Sequence, residues 1–511
     1  MPIVMKENSC SILAKQQYPM LFVSGQKGQL TVSTEKPDGT SSCFQLPNLT
    51  AEDFGDAEFK KTYGLKYALY GGAMANGIAS SDMAIALGNA GCMGSYGSGG
   101  QRLEVVAQEI DKMKAALGEK PFLVNMLSNR NADMEMKLAQ LLIDKEVLGV
   151  EASAFIVPSE ALVYFRVKGI HEAADGRIVI PHKIIAKVSR EEVLEKFVSP
   201  PAAENVAALL KAGLITAEEA ALAPRIPMAD DITAEADSGG HTDGRPMVSM
   251  LPALIALANR KQAEFGYQQK VRVGAGGGVG TGLSCLGAFE MGAAYVVTGS
   301  VNQGCVESGT SDYVKQVLAE TAMADVTMAP CADMFEMGAK VEVIKKKTMY
   351  AQNAQKLYEY YVKYPSYDAI PAADRERIEK KILRDSFDNI WAGTKEYFAR
   401  VDPSKIPQAE KNPKLKMALV FRWYLGSSSR WAVQGNPDRK FDMQIWCGQS
   451  MGAFNLWVKG TPMEKAENRH VGEVANLLLN SCAYHYMKNL LIRVGAAEND
   501  FQDDILAEYF A

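Results

Sequence analysis

No two cysteines of this 511-residue chain stand in a Cys-x-x-Cys spacing. Cys10, Cys43, Cys92, Cys285, Cys305, Cys331, Cys447 and Cys482 are scattered singly. That argues against a disulfide framework or a structural zinc, and predicts free thiols in a reducing cytoplasm. The five histidines form no His-x-x-Glu-His or related spacing, so no catalytic metal is expected. No apolar run approaches the length of a membrane span, and the amino terminus lacks the charged-then-apolar layout of a secretory signal. Positive charge is not in excess: 55 Lys and Arg against 60 Asp and Glu give a net charge of −5. No global field therefore attracts nucleic acid or an anionic membrane. Neither the dinucleotide G-x-G-x-x-G spacing nor a G-K-[ST] phosphate loop occurs.

What is present is an ordinary globular composition, 47% apolar and 23% charged, at a length that suggests two or three domains. Residues 1–60 read as a small β-rich unit, with short strand-like runs at Leu21–Val23, Gln29–Ser33 and Cys43–Leu46 between turn formers. Over residues 61–340 short apolar strands alternate with longer helical patterns. Strands are expected at Tyr67–Met74, Gly91–Tyr96, Pro121–Leu127, Val147–Ile156, Lys183–Val188, Asp231–Ala236, Val271–Gly276 and Tyr295–Gly299. A helical pattern follows each, the last at Thr310–Met323, and Ser80, Asn131 and Ser159 are suitable N-caps. Eight such repeats predict an α/β fold of the closed (β/α)8 barrel type, with an open doubly wound sheet as the competitor. Residues 198–230 are too long for a simple connection and read as an insertion that could shape the mouth of a site or be a passive excursion. Residues 341–511 read as a helical domain, whose core would hold all five tryptophans, Trp391 to Trp457.

Two glycine-rich stretches carry the chemical signal. Gly276-Gly-Gly-Val-Gly-Thr-Gly282 follows the seventh strand and leads into a helix, leaving backbone amides unshielded where an anionic phosphate is stabilised. Gly299 and Ser300 end the eighth strand and supply further donors, and phosphate held after strands seven and eight is a recurrent barrel arrangement. His241 follows two glycines in Ser238-Gly-Gly-His, at the expected end of the sixth strand, where barrel side chains reach substrate. Tyr70-Gly-Gly-Ala-Met74 offers small residues that let a planar ring approach the backbone. Asn125 ends the third strand with both donors and acceptors for a heterocyclic edge. Lys187 lies in the apolar run of the fifth strand, where a buried ammonium calls for a partner such as a ligand anion or an electron-rich ring.

Gly72-Ala-Met74, Asn125, Lys187, Ser-Gly-Gly-His241, Gly277-Gly278 and Gly299-Ser300 resemble the nitronate monooxygenase-like flavoproteins. Glu235-Ala-Asp-Ser-Gly-Gly-His-Thr-Asp-Gly-Arg-Pro246, Thr298-Gly-Ser-Val-Asn-Gln303, Ala329-Pro-Cys-Ala-Asp-Met-Phe-Glu-Met-Gly338 and Gly435-Asn-Pro-Asp-Arg-Lys-Phe441 narrow the likeness to the PfaD type. Those are stand-alone enoyl reductases that serve polyunsaturated fatty acid and polyketide synthases, and the likeness covers nearly the whole chain. It implies FMN with its phosphate at Gly277, Gly278, Gly299 and Ser300, and its ring against Gly72, Ala73 and Met74. Asn125 and Lys187 would lie on the polar edge, Gly239 would line the cofactor site, and NADPH would be the reductant. The substrate would be an enoyl thioester on an acyl carrier protein, with His241 assisting the carbonyl or the proton step, and the enzyme a homodimer. A nitronate monooxygenase, with His241 as base, and a catalytically silent synthase scaffold are the competing functions. Because carrier proteins are acidic and this chain is net negative, docking needs a local basic surface. Lys340 with Lys345–Lys347, and Arg422, Arg430, Arg439 and Lys440, are the two candidates, a solvated face being the alternative.

Overall fold

A computed structural model describes Leu13 and residues 19–26, 29–36, 43–129 and 131–510. Eight parallel strands close into a barrel: β1 (Leu69–Gly71), β2 (Met93–Tyr96), β3 (Leu123–Leu127), β4 (Gly149–Ser153), β5 (Lys183–Val188), β6 (Asp231–Glu235), β7 (Arg272–Gly276) and β8 (Val296–Thr298). They pair in chain order and β8 closes on β1. Seven outer helices follow the first seven strands: α1 (Ser81–Asn89), α2 (Leu103–Leu117), α3 (Ala132–Asp144), α4 (Glu160–Val167), α5 (Glu191–Val198), α6 (Met247–Phe265) and α7 (Gly282–Glu290). Ser80, Asn131 and Ser159 accept backbone N–H bonds from Met83, Met134 and Leu162, each such cap being worth about 1 kcal/mol. Upstream, Gln29–Ser33, Met20–Gln26 and Cys43–Pro47 form a three-stranded antiparallel sheet.

The eighth helix differs from the sequence expectation. Thr310–Met323 is not the helix that covers the junction of β8 with β1. That place belongs to α8 (Val471–Val494), which packs along α7 and also meets α1. The approach is close enough that a Cβ on Gly282 would lie 2.0 Å from the Ser481 hydroxyl, so α7 needs glycine there. Two compact units result. The first comprises residues up to Asp237, Asp243–Ser308 and Leu456–Ala511; the second comprises Ser238–Thr242 and Gly309–Asn455. The expected division at residue 341 is therefore replaced by an excursion between β8 and α8. Trp457 belongs with α8 to the barrel unit, where its indole N–H donates to Asp504 at 2.9 Å.

The second unit is not purely helical. Val326–Pro330 and Lys340–Ile344 form an antiparallel hairpin that the sequence reading did not anticipate. The core beside it draws on Tyr350, Leu357, Trp391, Phe421 and Tyr424 from the helices Tyr350–Lys363, Phe387–Val401 and Pro413–Gln434.

Residues 198–230 lie at the amino end of the barrel. They run from α5 to the start of β6, and such a helix-to-strand connection returns to the end opposite the mouth. Glu219 accepts the Gly169 N–H just past α4, and Arg166 holds Pro227 O and Asp230. This segment therefore does not shape the mouth.

Candidate active site

Barrel side chains alternate inward and outward, so the interior builds in layers. Tyr70, Leu123, Ile185, Tyr295 and Val297 form an apolar inner layer. Thr233 joins it through hydroxyl contacts with Tyr70 at 3.0 Å and Tyr295 at 3.1 Å. Two residues further along the same strands, at their carboxyl ends, stand Gly72, Asn125, Lys187, Gly299 and Glu235. One pleat thus changes the interior from aromatic packing to polar groups.

Lys187 and two carboxylates organise that end. Its ammonium lies 2.6 Å from Glu235 and 3.6 Å from Glu151, so the partner anticipated for it is supplied by the protein. Burial alone would lower its pKa, but the two carboxylates win and raise it above the ordinary lysine value. Glu151 is fully buried; one oxygen accepts the Ala73 N–H at 2.8 Å, while the other has no hydrogen bond among the described residues. Asn125 donates to Glu151 O and to Ser153, both at 3.0 Å, which directs its amide nitrogen to β4.

The loops after β7, β8 and β1 lie side by side because those strands are neighbours. Gly277 and Gly278 have φ of +86° and +75°, which side-chain-bearing residues rarely adopt, and a Cβ on Gly277 would lie 2.6 Å from Ala236 O. Their amides donate to no protein acceptor among the described residues. Ser284 instead takes the Gly280 and Thr281 amides at the start of α7. Gly299 opens the short helix Ser300–Gln303, its carbonyl accepting from Asn302 and Gln303. Asn302 ties Thr298 in place, the Thr298 carbonyl accepts the Gly72 N–H at 2.9 Å, and the Met74 carbonyl closes the next turn on Ala79. Unshielded amides, small residues beside them and a polar rim fit a phosphate-bearing planar cofactor.

His241 and Gly239 belong to the second unit. Gly240 exchanges backbone hydrogen bonds with Glu342 of the hairpin at 2.9 and 2.7 Å, and Gly239 lies against the backbone of Cys447 and Gly448. The imidazole is half-exposed, its Nε2 3.8 Å from both the Cys331 sulfur and the Asp333 carboxylate. Burial pushes the Cys331 thiol up to about 11, so it stays protonated at neutral pH. The aspartate of the same motif, Asp243, turns away to Arg190 and Ser189.

The sequence reading missed Glu151 and Glu235. A carboxylate inside the apolar run Val150-Glu-Ala152 is as unusual as Lys187 in its own strand, and opposite charges on nearby strands were the available signal.

Residues 58–361 match the family model described as nitronate monooxygenase. Among solved structures, the enoyl reductase domain of MlnA from the macrolactin cluster of Bacillus amyloliquefaciens superposes with a TM-score of 0.83 at 37% identity. That match covers 86% of this chain and 100% of that one. The chain belongs to the nitronate monooxygenase family, in its PfaD-type branch. Among curated members, one of the polyunsaturated fatty acid synthase subunits of Thraustochytrium sp. is 44% identical over 94% of this chain. Polyketide biosynthesis protein PksE of Bacillus subtilis is 42% identical over 85%. The chain spans only 32% and 57% of those two proteins' lengths. Within the second unit, residues 364–443 match the inserted helical domain of [acyl-carrier-protein] S-malonyltransferase.

Proposed function

We propose that this chain is an FMN-dependent enoyl reductase that uses NADPH to saturate the 2,3 double bond of enoyl thioesters carried on an acyl carrier protein. The reading rests most heavily on the paired loops at Gly277–Gly278 and Gly299–Ser300, beside a polar rim of Asn125, Lys187 and Glu151. The relatives' names place them in polyunsaturated fatty acid and polyketide synthesis, and the MlnA domain is an enoyl reductase. The malonyltransferase-like segment supports a carrier-borne substrate.

The amides of Gly277 and Gly278, with Gly299 and Ser300, would hold the FMN phosphate, while Gly72, Ala73 and Met74 would leave room for its ring. Bound there, FMN would relay a hydride from NADPH to the β-carbon of the substrate. Lys187 remains protonated between its carboxylates and keeps a positive charge at the rim. Asn125, anchored through its nitrogen, presents its oxygen as an acceptor. His241 would donate a hydrogen bond to the thioester carbonyl as negative charge develops, or pass a proton toward the α-carbon. His241→Ala is expected to lower enoyl turnover by about 10²-fold or more with flavin content unchanged. Full turnover by that variant would remove His241 from the mechanism, and oxygen uptake on a nitronate without reduction of a crotonyl thioester would replace the reading by the monooxygenase one.

A further inference from the structure

Two basic stretches far apart in the sequence meet on the second unit. Thr348, just after Lys345–Lys347, donates its hydroxyl to the carbonyls of Phe441 at 3.2 Å and Met443 at 2.8 Å, and the Met349 amide donates to Phe441 O at 2.7 Å. The sequence reading treated the lysine run and the Arg439–Lys440 group as alternatives; the fold joins them. Phe441 emerges at this junction with 63% of its surface exposed, and Met349 with 43%. Such large apolar groups, held on an ordered backbone and bordered by charge, are the usual form of a contact site.

The charge around them is unequal. Lys346 is taken up by Asp325 and Lys347 by Glu320, while the buried Asp442 carboxylate is shared by Arg384 and Arg439. Lys345 and Lys440 form no ion pair among the described residues; Lys440 lies 4.7 Å from the Tyr313 ring instead. Positive charge therefore remains beside Phe441 on a chain whose net charge is −5. Arg422, from the same expected group as Lys440, is spent on Glu336.

We propose that the surface formed by Lys345, Met349, Lys440 and Phe441 docks an acidic protein domain with an apolar residue among its carboxylates, the carrier of the acyl thioester. Charge complementarity selects this occupant. A second copy related by a twofold axis would set this basic patch against itself, and a neutral partner would gain nothing from Lys345 and Lys440. The inference rests on the enoyl reductase reading for the identity of the cargo. It is tested with the full chain and two substrates, crotonyl on a purified acyl carrier domain and crotonyl as its N-acetylcysteamine thioester. For Lys345→Glu/Lys440→Glu and for Phe441→Ser, KM for the carrier-borne substrate should rise about tenfold or more, with kcat/KM for the small thioester kept. An unchanged KM for the carrier-borne substrate, or a parallel loss on both substrates, would overturn the docking site. Should the unmodified chain reduce neither substrate, the enoyl reductase reading fails by itself. The surface is then judged by titrating fluorescently labelled carrier domain at two ionic strengths. Weaker, less salt-sensitive binding by the charge-reversed variant supports the site, and equal binding refutes it.

Discussion

The two ends of the barrel bury charge in opposite ways. At the amino end Arg272 grips both oxygens of Asp231 at 2.6 and 3.0 Å, Tyr63 donates to the same carboxylate at 2.7 Å, and Thr62 binds the remaining guanidinium nitrogen. Asp230 is held in parallel by Arg166 and the Ile184 amide. Although burial disfavours its charge, Asp231 keeps Arg272 protonated above its usual range. Phe59 stacks on Tyr295 at 4.2 Å and seals the layer above. At the carboxyl end one lysine faces two carboxylates, a Glu151 oxygen goes without a hydrogen bond among the described residues, and glycines stand where side chains could have packed. Closed, matched pairs stabilise a fold; an unmatched rim beside exposed amides is what a ligand site requires.

The largest expected effect falls at the closed end. Asp231→Ala leaves Arg272 buried without its carboxylate and should cost about 3–5 kcal/mol in urea unfolding. If the ends are as different as described, the protein that still folds should bind FMN normally. Lys187→Met at the open end should cost less, about 1–3 kcal/mol, because Glu235 is partly exposed and solvent can stabilise the charge the lysine leaves behind. A folded-state pKa raised above the unfolded lysine value stabilises fully below about pH 10.4 and is lost only above it. The difference between Lys187→Met and the parent should therefore stay flat from about pH 6 to pH 9.

Gly277→Ala sharpens the contrast from the ligand side. The left-handed backbone and the approach to Ala236 O should cost about 1–3 kcal/mol, and FMN affinity measured by fluorescence quenching should fall about tenfold or more. An alanine variant with parental FMN affinity would remove Gly277 from the phosphate cradle. The smallest effect belongs to Asp243, whose carboxyl the hydrogen bond from Arg190 holds down at about 2. Its depressed pKa contributes stability above the unfolded value of about 3.9, lost as pH falls through about 2. Asp243→Asn should thus cost about 0.2–1 kcal/mol at pH 7 and almost nothing below about pH 1, the pair being partly exposed.

The barrel was legible because its strands and helices differ in period and because Ser80, Asn131 and Ser159 punctuate the starts of helices. The eighth helix was not. α8 is buried on every side, from Val474 and Leu478 to Ser481 and His485, so it shows no single apolar stripe naming its partner. Thr310–Met323 lay at the ordinary distance from β8 and took its place in the reading. The left-handed turn at Gly277–Gly278 and the buried charge of Lys187 could be read locally, since turns and misplaced charges announce themselves over a few residues. Glu151, Glu235 and the meeting of Thr348 and Met349 with Phe441 depend on pairings across the chain that no local pattern encodes. The motif around His241 singled it out as a candidate, but the hairpin strand that holds its loop carried only the weak signal of a five-residue run.

The central claim is a flavin-dependent reductase built on the open end of the barrel. It is tested most directly by the visible absorption spectrum of the purified protein reconstituted with FMN, followed anaerobically through additions of NADPH and then a crotonyl thioester. The account predicts bound-flavin absorbance that bleaches with NADPH and returns with the thioester. Failure to bind FMN, or bleaching that the thioester does not reverse, would contradict it.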